Sequence, residues 1–366
     1  MYNKIKGSMD GSIVVNLAAF IIIIAGVVYA KSIITPILLA VFISIICAQP
    51  ISWLEKRKIP RSVALIIVLL GMIILFSGFG FVIGGAISSF SGNLSKYTDS
   101  LTTISNDFVA SMNDRGWNIK SSQLSNLIQP GKILEYTASV LNTLANMVGT
   151  TFLIFLIVIF ILLEFGSFSI KARAIRSESN KTIPYFAAIT KNIRHYLAIK
   201  TLLCLAVGVL IYLALMIIGV DYPLLWALIA ALMNYIPNIG SIIATIPTAI
   251  FALVQIGTGG ALWTIIASMV VHNILGNFLE PRIMGRGLGL STLVVFLSLL
   301  FWGFVLGLVG MFLSVPFTMT IKMILEQNEK TEWIALLLGT PSEAKAFLLQ
   351  KEKQKRKEEM AMKSEG

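Results

Sequence analysis

Between Thr201 and Ile321 the chain carries five ionisable side chains besides Tyr and Cys: Asp221, His272, Glu280, Arg282 and Arg286. So little charge over so long a stretch makes hydrocarbon its main solvent. Two apolar runs within it are each interrupted by Pro or Gly. Residues 223–256 break at Ile236-Pro237-Asn238-Ile239-Gly240, and residues 288–325 break at Gly303, Gly307 and Gly310. Both resume with a similar phrase: Gly240 then Thr245-Ile246-Pro247, and Gly310 then Ser314-Val315-Pro316. Backbone groups freed by a broken helix cannot face lipid, so each break is buried in protein or lines a cavity. Paired interrupted segments of this kind point to the binding site of a secondary transporter.

Length decides what the first run can be. As one helix, residues 223–256 would rise about 51 Å, against about 30 Å of hydrocarbon. Broken at Pro237–Gly240, each arm is shorter than the roughly 20 residues of a span. The run is then a re-entrant hairpin that returns through Gly257-Thr258-Gly259-Gly260, or two tightly connected short spans. Residues 288–325 pose the same choice with an apolar turn. The expected fold class is all-α and polytopic, with about eight transmembrane segments including one or two re-entrant or broken hairpins. The two hairpins would enter from opposite faces, as an inverted repeat in the C-terminal third would.

Composition and charge order the rest. The chain has 366 residues, is 56% hydrophobic and 13% charged, and has mean hydropathy +0.85. Net charge is +11. Its basic residues cluster between apolar spans, which reads as orientation bias and contact with anionic lipid, with no nucleic-acid partner. Spans are expected at 13–30, 37–54, 63–87, 147–163, 201–219 and 261–279. The basic stretches at 55–61 and 167–200 and the tail from 326 are then cytoplasmic. Residues 167–200 hold seven basic side chains against one acid, and would lie along the headgroups. Residues 90–146 carry balanced charge and would be external. There Leu94, Tyr97, Leu101, Ile104, Phe108 and Met112 recur at helical spacing. A second loop helix, such as residues 131–144, or a neighbouring subunit would cover that stripe. The divisions are 1–89, 90–146, 147–200, 201–325 as transport core, and 326–366.

Enzymatic motifs are missing. The sequence has no His-Glu-x-x-His, no Gly-x-Ser-x-Gly and no phosphate-binding Gly-x-x-x-x-Gly-Lys. Cys47 and Cys204 sit in apolar spans and read as small core residues. No cofactor or metal site is expected. Asn273, Asn277 and Glu280 fall at i, i+4 and i+7 and share a helix face. Asn234 and Asn238 flank the first break. These amides either line a path for substrate or coupling ion, or satisfy backbone groups freed by Pro237 and Pro281. Glu280 has two readings as well: a transport carboxylate, or an interface-level ion pair with Arg282 or Arg286. His272 reads as packing.

The chain resembles the autoinducer-2 exporter family. The residues that carry the likeness are Asn234-Tyr235-Ile236-Pro237-Asn238-Ile239-Gly240, Glu280-Pro281-Arg282-Ile283-Met284-Gly285 followed by Gly289-Leu290, and Gly307-Leu308-Val309-Gly310-Met311 followed by Val315-Pro316. The order of spans around them matches as well. The resemblance implies export of a small polar metabolite or signalling molecule across a bacterial cytoplasmic membrane. A sodium/proton antiporter, with Glu280 and Asp221 as its acidic candidates, and a non-transporting scaffold are the alternatives. Substrate or ion pathway candidates are Asn234, Pro237, Asn238, Gly240, Asn273, Asn277, Glu280, Gly307, Gly310 and Pro316. Expected partners are a small-molecule substrate, membrane lipid and further copies of the chain in a homo-oligomer.

Overall fold

The computed structural model describes residues 2–115, 139, 151–164, 183–284, 289–328, 330–349 and 352–353. All described secondary structure is helical. In chain order the helices are α1 (Tyr2–Tyr29), α2 (Lys31–Lys56), α3 (Arg61–Gly92), α4 (Leu94–Asp114), α5 (Thr151–Glu164), α6 (Ile183–Ile218), α7 (Pro223–Met233), α8 (Gly240–Ile256) and α9 (Thr258–His272). A π-helical segment, Asn273–Leu279, joins α9 to α10 (Glu280–Met284); then come α11 (Thr292–Leu306), α12 (Leu308–Leu325) and α13 (Glu332–Leu338). Among the described residues, five helical stretches are long and apolar enough to cross a membrane: Lys31–Lys56, Arg61–Ser89, Thr190–Ile218, Thr258–Ile283 and Leu308–Leu325. Large apolar side chains stand exposed along the helices, among them Phe81, Phe152, Ile217 and Phe304. Hydrocarbon is the solvent that accepts such a surface. The protein is an all-α polytopic membrane protein.

Helix limits reflect local chemistry. Between α2 and α3 the chain turns at Lys58, which has φ 66°, just before Pro60. Helix α2 restarts at Lys31, after α1 ends at Tyr29 and Ala30 turns, so Pro36 lies inside it. Helix α6 runs unbroken for 36 residues, about 54 Å at 1.5 Å per residue. Residues 183–200, expected to lie along the headgroups, instead continue the helix of the following span without a break. Residues 165–182 lie outside the described part.

The chain forms two compact units, each discontinuous in sequence. One comprises residues 43–171 and 197–284, the other 1–42, 172–196 and 285–366.

In the first of these, α7 and α8 form a hairpin whose two ends meet. The Asp221 N–H donates to Gln255 Oε1 at 2.7 Å, and Gln255 Nε2 donates to the Gly219 carbonyl at 3.1 Å. Phe251 packs against Trp226 with ring centroids 5.4 Å apart. The arms have 11 and 17 residues, about 17 and 26 Å, both short of about 30 Å. The run is therefore a hairpin of two short helices, as its break predicts. Its arms cross where Gly240 packs on the end of α7: a Cβ there would sit 1.8 Å from the Met233 carbonyl oxygen. Gly240 itself is helical; the left-handed residue of the turn is Asn238, with φ 61°. So Gly240 is required for close approach and not for an unusual backbone angle. Gly257, with φ 89°, turns α8 into α9.

Helix α4 packs on the same hairpin. Tyr97 is buried and meets Phe251 edge-on at 5.4 Å. Burial, with Tyr222 and Asp221 nearby, holds its phenol above the usual range. The loop helix thus has a partner in α8, which neither expectation for it named; residues 131–144, apart from 139, lie outside the described part.

In the other unit α11 and α12 form a second hairpin around the single residue Gly307, with φ 68°. Here too a glycine sits at the crossing: a Cβ on Gly310 would lie 1.9 Å from the Trp302 carbonyl oxygen. Trp302 packs on Phe317 at 4.7 Å and donates to Thr318 Oγ1 at 3.3 Å. The ends of this hairpin are tied as well. The Ser291 N–H donates to the Leu338 carbonyl at 3.0 Å. Buried Lys322 bonds the Gly289 carbonyl and Glu343 Oε2, the latter at 2.6 Å. The start of the C-terminal tail is therefore packed helix, through α13 and residues 341–349.

Candidate functional site

The break between α7 and α8 opens onto a cavity of about 670 Å³. Three pieces of one unit line it. The turn gives Asn234, Ile236, Pro237 and Asn238, followed by Ser241, Thr245 and the apolar side of α8. Helix α9 and the π segment give Ser268, His272, Asn273, Gly276 and Asn277, with Glu280 just beyond. Helix α6 gives Lys200.

The turn departs from helical pairing. Tyr235 and Ile236 N–H groups donate three residues back, to Leu232 at 3.2 Å and Met233 at 2.9 Å. Pro237 has no N–H to give. The side chains then tie the turn to α6. Asn234 Nδ2 donates to Cys204 Sγ at 3.4 Å, and Tyr235 OH donates to Thr201 Oγ1 at 2.8 Å. Part of the polar lining at the break therefore also holds the break in place.

The π segment gives the other wall. Glu280 N–H bonds the Leu275 carbonyl, five residues back. Asn273 Nδ2 takes the Met269 carbonyl at 2.8 Å, and Asn277 Nδ2 donates to Asn273 Oδ1 at 2.8 Å. The i, i+4, i+7 spacing does place Asn273, Asn277 and Glu280 along one cavity wall, but in a π-helix and not an α-helix. Single π turns often occur at functional sites, because the extra residue re-aims the side chains beyond it. His272 is more than packing. Its Nδ1 bonds the Ser268 carbonyl at 2.8 Å, and its Nε2 is buried with no partner. A carbonyl only accepts, so Nδ1 carries the hydrogen and Nε2 offers a lone pair beside the cavity.

Glu280 is paired with Lys200, a partner that neither reading of it named. Lys200 Nζ lies 2.8 Å from Oε1 and 2.9 Å from Oε2, with side-chain exposures of 3% for Lys200 and 18% for Glu280. Arg282 instead stacks over Phe278 at 3.8 Å, and Arg286 lies outside the described residues. Lys200 was hidden by its place at the end of a basic cluster. Its phase along α6 is the signal: Leu197, Lys200, Cys204, Val207, Ile211 and Leu215 are all buried, a stripe at three- and four-residue steps.

Of the expected pathway residues, Asn234, Pro237, Asn238, Asn273, Asn277 and Glu280 line this cavity. Gly240 shapes it from behind, at the arm crossing. Gly307, Gly310 and Pro316 belong to the hairpin of the other unit. Asp221 sits at the mouth of the first hairpin, where its N–H meets Gln255.

Comparison with known proteins places this arrangement. The sequence profile described as AI-2E family transporter matches residues 17–330. The chain belongs to that family. Within it, the AI-2 transport protein TqsA of Escherichia coli K12 is 35% identical over 331 residues, which cover 89% of this chain and 95% of TqsA. YhhT of the same strain is 34% identical over 327 residues, 89% of this chain and 94% of YhhT. A relative from Haemophilus influenzae is 35% identical over 330 residues, 88% of this chain and 95% of the relative. This AI-2E family member is a multi-pass membrane transporter. Membership in a transport family fits a chain without enzymatic motifs.

Proposed function

We propose that the transporter exports a small polar metabolite, of the autoinducer-2 type, across the bacterial cytoplasmic membrane, and that the cavity at the first hairpin break is its substrate site. The cavity carries this reading. It is of a size that suits a small ligand, mostly apolar along α8, with polar groups gathered at the break and the π segment. The substrate class comes from the name of the relative TqsA. In this reading Asn234, Asn238, Asn273, Asn277 and Glu280 lie along the pathway with Pro237, and Gly240 keeps the turn compact. Gly307, Gly310 and Pro316 of the second hairpin are proposed as pathway residues of the other unit.

In the same reading both termini are cytoplasmic and α4 is external, which the charge bias of the loops supports. Membrane lipid surrounds the helices, and copies of the chain form a homo-oligomer. Single-cysteine labelling without Cys47 and Cys204 tests the orientation. Labelling of position 106 only from the cytoplasm would reverse it.

Flux into proteoliposomes tests the site. An otherwise cysteine-free Ser241→Cys variant, at a helical position lining the cavity, should transport autoinducer-2, and a small thiol reagent should then block it. Undiminished flux after complete labelling at Ser241→Cys would remove the cavity from the pathway.

A further inference from the structure

We infer that Lys200 is a built-in cation standing where a coupling ion would bind, so that the site works without sodium. This rests on the reading of the cavity as the transport site. Among the described residues Glu280 is the one carboxylate that lines the cavity, and Lys200 Nζ is within 2.9 Å of both its oxygens. A carboxylate beside the unwound backbone of a broken helix supplies the oxygen-rich surroundings that coupling cations use. Both features face this cavity, and the ammonium group has taken the carboxylate.

The physical argument concerns exchange. A secluded carboxylate with no partner is costly, so it takes up a proton or a cation. Each such uptake from one side of the membrane and release to the other can couple transport to an ion gradient. Lys200 meets the same demand with a charge fixed to α6. It is 3% exposed, and its helical phase with Leu197, Cys204 and Val207 keeps its stem in the core. A tethered ammonium is not released to either side. The pair is neutral as a whole, so a substrate meets hydrogen-bonding groups without net charge. Lys200 is thereby a specificity-determining residue, and removing it should create a cation site.

The test is sodium binding to the purified full-length protein, with choline as the balancing cation, read by radiosodium retention and by the shift of Tm with sodium. Wild type and Lys200→Arg should retain no sodium, and their Tm should not move. Lys200→Gln should retain sodium and gain Tm as sodium rises, as any ligand of the folded state requires. Lys200→Gln with Glu280→Gln should lose both effects. Sodium retention by the wild type that Glu280→Gln abolishes would overturn the inference, as would a folded Lys200→Gln protein indifferent to sodium. If Lys200→Gln does not fold in choline, recovery of folded protein in sodium supports the inference, and failure in both salts overturns it. None of these readouts involves a transported substrate. A wild type that ignores sodium but moves no small polar solute would therefore sink the transport reading alone.

Discussion

The two hairpins solve one packing problem and differ in what they do with the turn. Both bring their arms together by seating a glycine on a carbonyl near the end of the first arm, Gly240 on Met233 and Gly310 on Trp302. Both tie their mouths shut, one through Gln255 and the other through Lys322. Their turns are unlike. Between α7 and α8 six residues leave the helix, among them two asparagines and a proline, and four of them face a cavity. Between α11 and α12 only Gly307 does so, with no polar side chain in the turn. The glycine crossing is thus a requirement of close-packed hairpin arms. The length and polarity of the turn are what distinguish a hairpin built to present backbone to a ligand.

The largest expected effect concerns the two buried lysines. Glu280→Gln leaves Lys200 secluded with no counter-charge, and breaking a buried pair in this way costs about 3 kcal/mol. Glu343→Gln leaves Lys322 with Glu326 at 3.4 Å and with the Gly289 carbonyl, and Glu343 is itself 37% exposed. Its loss should cost about 1 kcal/mol or less. Thermal unfolding in detergent measures both. Equal losses would mean that the Lys200 pair is no more secluded than that of Lys322.

Next come the crossings. Gly240→Ala and Gly310→Ala each place a methyl group on a backbone oxygen, which has no rotamer to yield. Each should cost about 3 kcal/mol, the upper part of the range for overpacking, with folded yield falling in parallel. A harmless substitution at one site and a severe one at the other would break the equivalence of the hairpins. A smaller loss, about 1 kcal/mol, is expected for Gln255→Ala, which removes two hydrogen bonds at an exposed mouth.

Legibility in the sequence depends on how each feature is encoded. The hairpins were legible because a span is counted in residues and a break is written in Pro and Gly. The cavity wall was legible at Asn273, Asn277 and Glu280 because spacing along a helix needs no partner. The partner of Glu280 was not. Arg282 and Arg286 are its neighbours in sequence, whereas Lys200 lies 80 residues away, and only tertiary packing brings the two together. The π segment was equally hidden. No residue type marks it, and the seven residues Asn273–Leu279 read as ordinary helix. Gly240 is ambiguous in sequence, since close approach and a positive φ both call for glycine, and here Asn238 holds the positive φ.

That division of labour at the turn sets the smallest and most discriminating prediction. Asn238 serves the hairpin in two separable ways: its backbone occupies φ 61°, and its side chain lines the cavity. Asparagine and glycine tolerate that angle, whereas alanine pays about 1 kcal/mol or more. Asn238→Gly should therefore leave Tm within measurement error and remove only the amide. Asn238→Ala should lower Tm and remove the amide too. If the amide contacts the substrate, both variants lose flux by a similar factor despite their different stabilities. If Asn238 is there only for the turn, Asn238→Gly transports as the wild type does, and only Asn238→Ala is impaired. The second pattern would reduce the polar break to a geometric device like Gly307. The two hairpins would then differ in the number of residues in the turn and not in what the turn does.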